Sequence, residues 1–207
     1  MKRKDLMQSQ RLPFTAQMLK KWLAREKRFT RRVIIQQPEP TAYLLDYSCG
    51  VATFSSTAAP DTFFTGSTWG NRYGEVGEYV LIAETLRKSA DGRFAVYASD
   101  DAFVLDGRNN VPWPYKSDVM PSIFMQKKFA RYAAQIEALK FERVQEISEH
   151  DARLEGVGAW HDTVVGTTYR GEFALLWDTI NGARGHTWES NPMVIAIGLS
   201  EPIKLTD

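Results

Sequence analysis

The first third of the chain changes its hydrophobic period once, from helical to alternating. Apolar residues recur at helical spacing after Pro13 and Thr15, which predicts a helix from Pro13 to about Glu26. The apolar face of this helix consists of Met18, Leu19, Trp22 and Leu23. An apolar stretch, Val33–Ile35, then predicts the start of a strand, and residues 41–64 are β-like.

The remaining two thirds alternate between strand patterns and loops. Strands are predicted at 78–86, 93–99 and 135–146, and a fully apolar strand at 193–199. Helices are predicted at 148–156, which begins with Ser148 as its N-cap, and at 171–181. Loops are predicted at 36–40, 65–77, 100–122 and 157–170. The loop at 100–122 is long enough to suggest a functional insertion.

The order of these elements predicts an α+β fold. Helices do not alternate with strands, so a doubly wound parallel sheet is excluded. A curved mixed sheet or small barrel with peripheral helices fits the order better. We therefore expect residues 12–207 to form a single domain with an insertion around 100–122, preceded by a flexible basic arm at residues 1–11.

Charge is unevenly distributed along the chain. The formal net charge is +1, but residues 1–32 carry +9 and the rest of the chain carries −8. Such a split favours a basic face that meets phosphates. The alternative is a solvated, charged helix with a mobile tail, and composition alone does not separate the two.

Composition also bounds the class of protein. Cys49 is the only cysteine, which argues against a disulfide framework and a cysteine-based zinc site. The three histidines lack metal-site spacing, and no phosphate-binding glycine loop or dinucleotide fingerprint is present. No apolar run approaches membrane-spanning length, and the N-terminus lacks the apolar stretch of a signal peptide. We expect a cytoplasmic protein without metal, cofactor or membrane partner.

Three segments in order carry a resemblance to a known family. They are LPFTAQMLKKWLAREKRFTRRVI, then MPSIFMQKKFAR followed by FERVQEISEHDARLEGV, and finally FALLWDTINGARGHTWESNPMVIAIGL. Together they make up roughly half of the chain. They resemble the ASCH-domain proteins of phages and prophages, a branch of the PUA-like superfamily. In the first segment Lys27, Thr30, Arg31 and Arg32 match a Gly-Arg-Lys-x-x-Thr-Arg-Arg motif, and Arg25 stands where the family commonly has glycine.

The resemblance implies a PUA-like mixed β-barrel with helices over its openings and a ligand cleft beside the first helix. It also implies a nucleoside or RNA partner, in the cytoplasm of a bacterial host if the gene is phage-borne. One bacterial branch of the family comprises amidohydrolases that deacetylate N4-acetylcytidine with a lysine, a threonine and a glutamate. By motif these would be Lys27, Thr30 and Glu155, although Asp151 and Glu149 share the short helix with Glu155.

The residue types suit amide hydrolysis. Thr30 would supply the nucleophile, and Lys27 would deprotonate it if burial and nearby arginines lower the pKa of the amine. Glu155 would orient the lysine or protonate the leaving group. Lys-x-x-Thr alone is a weak motif, however, and Glu155 fits equally well as a solvated residue at a helix end.

The competing interpretation is a binding module without catalysis. A Lys/Thr/Arg cluster after a helix is typical of a phosphate-contact surface. Trp113, between Pro112 and Pro114, is the candidate for an exposed platform on which a base would stack. The candidate nucleic-acid or phosphate contacts are Lys20, Lys21, Arg28, Arg31, Arg32 and Trp113.

Overall fold

Strands dominate a mixed α+β architecture in the computed structural model, which describes residues 1–56, 68–158 and 168–206. The chain divides into two compact units, each built from separate stretches of sequence. Unit 1 comprises Met1–Arg25, Gly77–Ile136 and Ser200–Asp207, and unit 2 comprises Glu26–Val76 and Glu137–Leu199. The sequence predicts one domain over 12–207; the division arises because distant segments pair with each other more densely than with their chain neighbours.

Unit 1 contains three small sheets and one α-helix. Its elements are β1 (Gln10–Phe14), α1 (Ala16–Leu23), β6 (Tyr79–Glu84), β7 (Leu86–Lys88), β8 (Ala95–Tyr97), β9 (Leu105–Asp106), β10 (Asn109–Asn110), β11 (Val119–Met120), the first part of β12 (Tyr132–Arg143) and β14 (Ile203–Lys204). Strand β1 runs parallel to β6, which pairs antiparallel with β12. Three 3-10 helices, Arg3–Leu6, Ser122–Phe124 and Lys127–Phe129, complete the unit.

Among its described residues, unit 2 combines a three-strand stretch of one sheet, a separate three-stranded sheet and two helices. Its elements are β2 (Phe29–Val33), β3 (Ala42–Ser48), β4 (Val51–Ser56), β5 (Thr68–Gly70), the second part of β12, the 3-10 helix Val144–Glu146, α2 (Glu149–Leu154), α3 (Tyr169–Asn181), the 3-10 helix Gly182–Arg184 and β13 (Met193–Leu199). Strand β2 pairs antiparallel with β13, with Thr30 opposite Ile197. Strands β3, β4 and β5 form an antiparallel meander.

Residues 1–11, which composition predicts to be a flexible arm, contain a 3-10 helix, Arg3–Leu6, and the first residues of β1. The amide of Arg3 donates to the carbonyl of Thr206 at 2.9 Å. Of the apolar residues in this stretch, Leu6 packs into the core of unit 1, whereas Met1 and Met7 are exposed.

The first helix begins later than the sequence predicts. Pro13 lies inside β1, and α1 is capped by Thr15, whose hydroxyl accepts from the amide of Met18 at 3.2 Å. Because β1 lies at the edge of its sheet among the described strands, a proline that lacks an amide hydrogen is tolerated there. Arg25, just past this helix, has a φ of 64°, the left-handed conformation that glycine adopts most readily.

Several later predictions are confirmed. Helix α2 follows Ser148, whose hydroxyl accepts from the amide of Asp151 at 3.0 Å, and α3 covers the second predicted helix. Every residue of β13 is buried, as its continuous apolar run predicts. Gly198 in this strand allows close packing, because a Cβ there would lie 3.1 Å from the ring of Phe29.

Two predicted loops have a different outcome. The stretch 100–122 carries the hairpin of β9 and β10 as well as β11, and it buries Val104 and Met120 in the core of unit 1. Most of the loop predicted at 157–170 lies outside the described residues. No helix in the described ranges is long and apolar enough to cross a membrane.

Candidate functional site

Backbone pairing brings Lys27 and Glu155 together within unit 2, although they lie far apart in sequence. The two residues form an isolated antiparallel bridge just before β2 and just after α2. Beside this bridge the amide of Arg28 donates to the carbonyl of Leu154 at 2.7 Å. The position of both side chains is therefore fixed by the backbone rather than by a flexible loop.

The Lys27 ammonium is held by one residue through two oxygens. Lys27 Nζ lies 2.6 Å from Glu155 Oε2 and 3.0 Å from the Glu155 carbonyl oxygen. The two side chains are 2% and 5% exposed. A lysine and a glutamate this deeply buried are rare unless they are paired, because each charge loses its hydration.

Arg31 links this pair to two further carboxylates. Its Nη1 donates to Glu155 Oε1 at 3.0 Å, and its Nε and Nη2 lie 2.8 and 2.6 Å from Glu142 Oε1. Asp151 Oδ2 is 3.6 Å from Nη2. The guanidinium also lies over the ring of Phe173, with 5.9 Å from Cζ to the ring centroid. Arg31 therefore holds Glu142 and Glu155 in one cluster.

The pKa of Lys27 is lowered. Burial is the main cause, because it removes water from the charged form. Glu155 opposes the change through its charge and its hydrogen bond, whereas Arg32 and Arg31 add to the lowering. The environment thus moves Lys27 towards the neutral amine that a general base requires.

Thr30 is buried close to Lys27 in sequence, and no hydrogen bond joins it to the cluster. Its side chain belongs to β2, three residues after Lys27, and it is 1% exposed. Its hydroxyl has no hydrogen-bond partner among the described residues. Buried hydroxyls are nearly always bonded, so this one stands out as a group with unused capacity. The structure brings Lys27 and Glu155 into contact and leaves Thr30 without a hydrogen bond to either.

The predicted phosphate contacts are divided between the two units. Lys20 on α1 and Arg28 before β2 are exposed, whereas Lys21 and Arg32 are half-buried. Arg31 does not lie on a phosphate-contact surface, since its side chain is 1% exposed and already paired with carboxylates. The predicted phosphate contacts therefore differ in exposure and belong to two separate units.

Trp113 is half-buried rather than a bare platform. It packs against the core of unit 1, and its Nε1 donates to the carbonyl of Ser117 at 3.0 Å. Its ring meets Tyr115 edge-on, with centroids 5.2 Å apart. These contacts fix the ring within its loop.

Glu142 and Lys140 pair with each other in this cluster, and sequence reasoning singled out neither. Glu142 lies on β12 and is 2% exposed. A charged residue at a core-facing strand position is a recognisable signal, because such a residue needs a partner. Lys140 Nζ lies 2.5 Å from Glu142 Oε2, an ion-pair distance, although this oxygen accepts no hydrogen bond within the described part of the chain.

Among the described residues, no group of histidine, cysteine, aspartate and glutamate side chains is arranged to hold a metal ion. Comparison with known proteins finds no matching family model, no similar curated protein and no similar solved structure. The chemistry of the cluster itself must therefore carry any functional argument.

Proposed function

We propose that this chain is an ASCH-type, PUA-like protein that hydrolyses an acylated nucleoside of the N4-acetylcytidine kind. The observation that carries the proposal is the buried Lys27–Glu155 pair, together with the unbonded, buried hydroxyl of Thr30, three residues after Lys27 in the chain. The ordered motifs around Lys27, Thr30 and Glu155 support it, since they resemble the amidohydrolase branch of that family.

The hydrogen bonds of Lys27 suit a general base. As a neutral amine, Lys27 has two N–H groups, and Glu155 offers two acceptors, a carboxylate oxygen and the carbonyl oxygen. The nitrogen lone pair is then left for a third partner. In the proposed reaction that partner is the Thr30 hydroxyl, whose bond to Lys27 forms when substrate occupies the site.

The proposed reaction has two stages. Thr30 Oγ1 attacks the acetyl carbonyl carbon and its proton passes to Lys27 Nζ; the tetrahedral intermediate then breaks its C–N bond, and the departing cytidine amine takes that proton. Water next attacks the carbonyl carbon of the acetyl-threonine ester and gives a proton to Lys27 Nζ; the bond from this carbon to Thr30 Oγ1 then breaks, Lys27 returns the proton to Oγ1, and acetic acid leaves and ionises to acetate. Lys27 takes up and returns one proton in each stage, so the enzyme ends in its starting state.

Glu155 suits the role of orienting the lysine better than that of an acid. Lys27 contacts one of its carboxylate oxygens and Arg31 donates to the other. With both oxygens occupied inside the protein, neither is free to reach the nitrogen of a leaving group. Of the two roles open from the sequence, we therefore assign Glu155 to holding Lys27.

A chromatographic assay of purified protein with N4-acetylcytidine tests the proposal. Wild type should form cytidine and acetate, Thr30→Ala should form neither, and Thr30→Ser should retain part of the activity because it keeps the hydroxyl. Cytidine formation by Thr30→Ala at the wild-type rate would reject the nucleophile. Absence of turnover in wild type across a panel of acylated nucleosides would reject the activity.

A binding module is the second candidate, and the absence of a Lys27–Thr30 hydrogen bond within the described residues favours it. In this case exposed basic side chains such as Lys20 and Arg28 would contact RNA phosphates. Affinity for a single-stranded RNA should then fall steeply with salt, and Arg28→Ala should reduce that slope. Affinity that does not change with salt would exclude this role.

A further inference from the structure

The Arg31 guanidinium is buried among carboxylates, where a phosphate-binding arginine would be of no use. It donates to Glu155 through Nη1 and to Glu142 through Nε. A phosphate could reach it only after these ion pairs had been broken inside the protein, which would leave buried charges uncompensated. The position of Arg31 therefore calls for a different explanation from that of the surface basic residues.

The geometry around Glu155 supplies one. Its carboxylate has two oxygens: Lys27 occupies Oε2 at 2.6 Å and Arg31 occupies Oε1 at 3.0 Å. A carboxylate held at both oxygens cannot rotate to give Lys27 a different distance or angle. Arg31 is itself held from the opposite side by Glu142 on β12, which is 1% exposed. The cluster forms a chain of fixed contacts that ends at the Lys27 amine.

We infer that Arg31 is a positioning residue, which Glu142 anchors and which acts on Lys27 by fixing the place and the charge of Glu155. This inference rests on the proposed function for its catalytic meaning, because it assigns a role to Arg31 in the same site. It makes no use of phosphate or nucleic acid.

Among the described residues, the charged groups around this cluster come from three elements. Arg31 and Arg32 on β2 act on Lys27, Glu142 on β12 and Asp151 on α2 lie against Arg31, and Lys140 on β12 pairs with Glu142. Loss of the Arg31 charge removes one nearby cation and frees Glu155 to interact with Lys27 alone. Both changes favour the protonated lysine, so they act in the same direction.

The decisive measurement is the titration of Lys27, followed by NMR of protein labelled with ¹³C at the lysine ε-carbons. Lys27→Met identifies the signal. In Arg31→Met the pKa of Lys27 should move upwards relative to wild type. An unchanged Lys27 titration in folded Arg31→Met would overturn the inference. This readout does not need a substrate, so it remains valid even if no acylated nucleoside is hydrolysed.

If hydrolysis is observed, the pH profile gives a second readout. The acidic limb of kcat/KM should move to higher pH in Arg31→Met, with a loss of up to about 100-fold at neutral pH, because misplacing a catalytic group by an ångström costs on that order. A purely structural role would lower the folded fraction and leave the limb in place. A phosphate contact would raise KM for an oligonucleotide and leave the free nucleoside unaffected. Either of these results would contradict the assignment.

Two further variants guard against misfolding of Arg31→Met. Arg31→Lys keeps the charge but loses the planar guanidinium that bonds to two carboxylates at once. It should therefore return the acidic limb of the pH profile only part of the way to its wild-type position. Glu142→Gln should weaken the ion pair that anchors Arg31 while leaving the Glu155 side chain in place. It should also shift the pKa of Lys27. Arg131→Met, which breaks a comparable buried pair in unit 1, is the matched control and should leave the Lys27 titration unchanged. A Lys27 titration that is identical in Arg31→Lys, Glu142→Gln and wild type would equally overturn the inference.

Discussion

Each unit contains an arginine paired with a buried glutamate, but the two clusters differ in how completely their polar atoms are used. In unit 1, Arg131 Nε and Nη2 bond the two oxygens of Glu84 at 3.0 and 2.6 Å. Arg131 also donates through Nη1 to Asp100 and through Nη2 to Ser99. Its Cζ lies 3.7 Å from the centroid of the Tyr97 ring. None of the side-chain atoms in this cluster is left buried without a hydrogen bond.

The cluster of unit 2 is less complete. Lys27 and Arg31 both pair with Glu155, and Arg31 also pairs with Glu142. The hydroxyl of Thr30 forms no hydrogen bond with any of the described residues. A matched ion pair with saturated hydrogen bonds serves the fold, whereas unused hydrogen-bond capacity in a buried charged cluster marks a candidate site. The following predictions test this contrast, in order of decreasing effect.

Breaking the matched pair of unit 1 should have the largest effect on stability. In Arg131→Met the buried Glu84 loses its partner, so the free energy of unfolding should fall by about 3–5 kcal/mol. Burial already raises the pKa of Glu84, with Arg131 opposing, and the variant should carry a neutral Glu84 at higher pH than wild type. Urea unfolding followed by tryptophan fluorescence measures the loss. Lys128→Met, which removes an exposed pair with Asp106, is the control and should change stability by less than about 1 kcal/mol.

Removing the lysine of unit 2 should cost less. In Lys27→Met, Glu155 keeps its ion pair with Arg31 and a desolvated charge is lost, so we expect a change of at most about 2 kcal/mol. A loss as large as that of Arg131→Met would remove the proposed contrast between the two clusters.

The same variant should also change how stability depends on pH. The folded-state pKa of Lys27 lies below its ordinary value of 10.5, so between these two values the unfolded chain binds more protons. The free energy of unfolding of wild type should therefore rise with pH across this window, relative to Lys27→Met. Paired urea titrations at several alkaline pH values measure the difference, and two parallel curves would contradict the lowered pKa.

Removal of a buried hydroxyl should change stability in opposite directions in the two units. Thr30→Val replaces an unbonded buried hydroxyl by a methyl group, so stability should stay the same or rise by about 1 kcal/mol. Ser99→Ala removes a hydroxyl that accepts from Arg131 at 3.1 Å, so stability should fall by about 1 kcal/mol. Thermal unfolding of both variants beside wild type decides the matter, and a loss of stability in Thr30→Val would mean that the hydroxyl is bonded.

Removal of Lys140, the exposed residue of the unit 2 cluster, should have the smallest effect on stability. Lys140 pairs with Glu142 but is 58% exposed, so Lys140→Met should reduce stability by about 0.5 kcal/mol, and by less at high salt. A larger effect in urea unfolding would show that Lys140, rather than Arg31, is the main partner of Glu142.

The sequence predicted those elements whose signals are local. Ser148 and the apolar run of β13 marked a helix and a central strand, because a cap and a continuous hydrophobic run act over a few residues. Pro13 misled the placement of the first helix, since proline suits both a helix start and an edge strand. Pairing between distant segments, which divides the chain into two units, leaves no local trace.

The candidate site shows the same division between local features, which the sequence predicts, and contacts between distant residues, which it does not. Motif spacing placed Lys27, Thr30 and Glu155 in one hypothesis, and the structure brings Lys27 and Glu155 into direct contact. The part played by Glu142 could not be predicted, because its partner Arg31 lies on another strand and ion pairing across strands follows no fixed spacing. Whether a buried hydroxyl is bonded likewise depends on its neighbours in space.

The turn after the first helix places a charged side chain where glycine would be expected. Glycine is the usual residue where a helix ends in a left-handed turn. This chain makes the turn with Arg25 at φ 64°, and the side chain forms an exposed ion pair with Glu201 at 2.9 Å. Arg25 therefore does two things at one position: it turns the chain away from α1, and it keeps a cation at the surface where glycine would leave none.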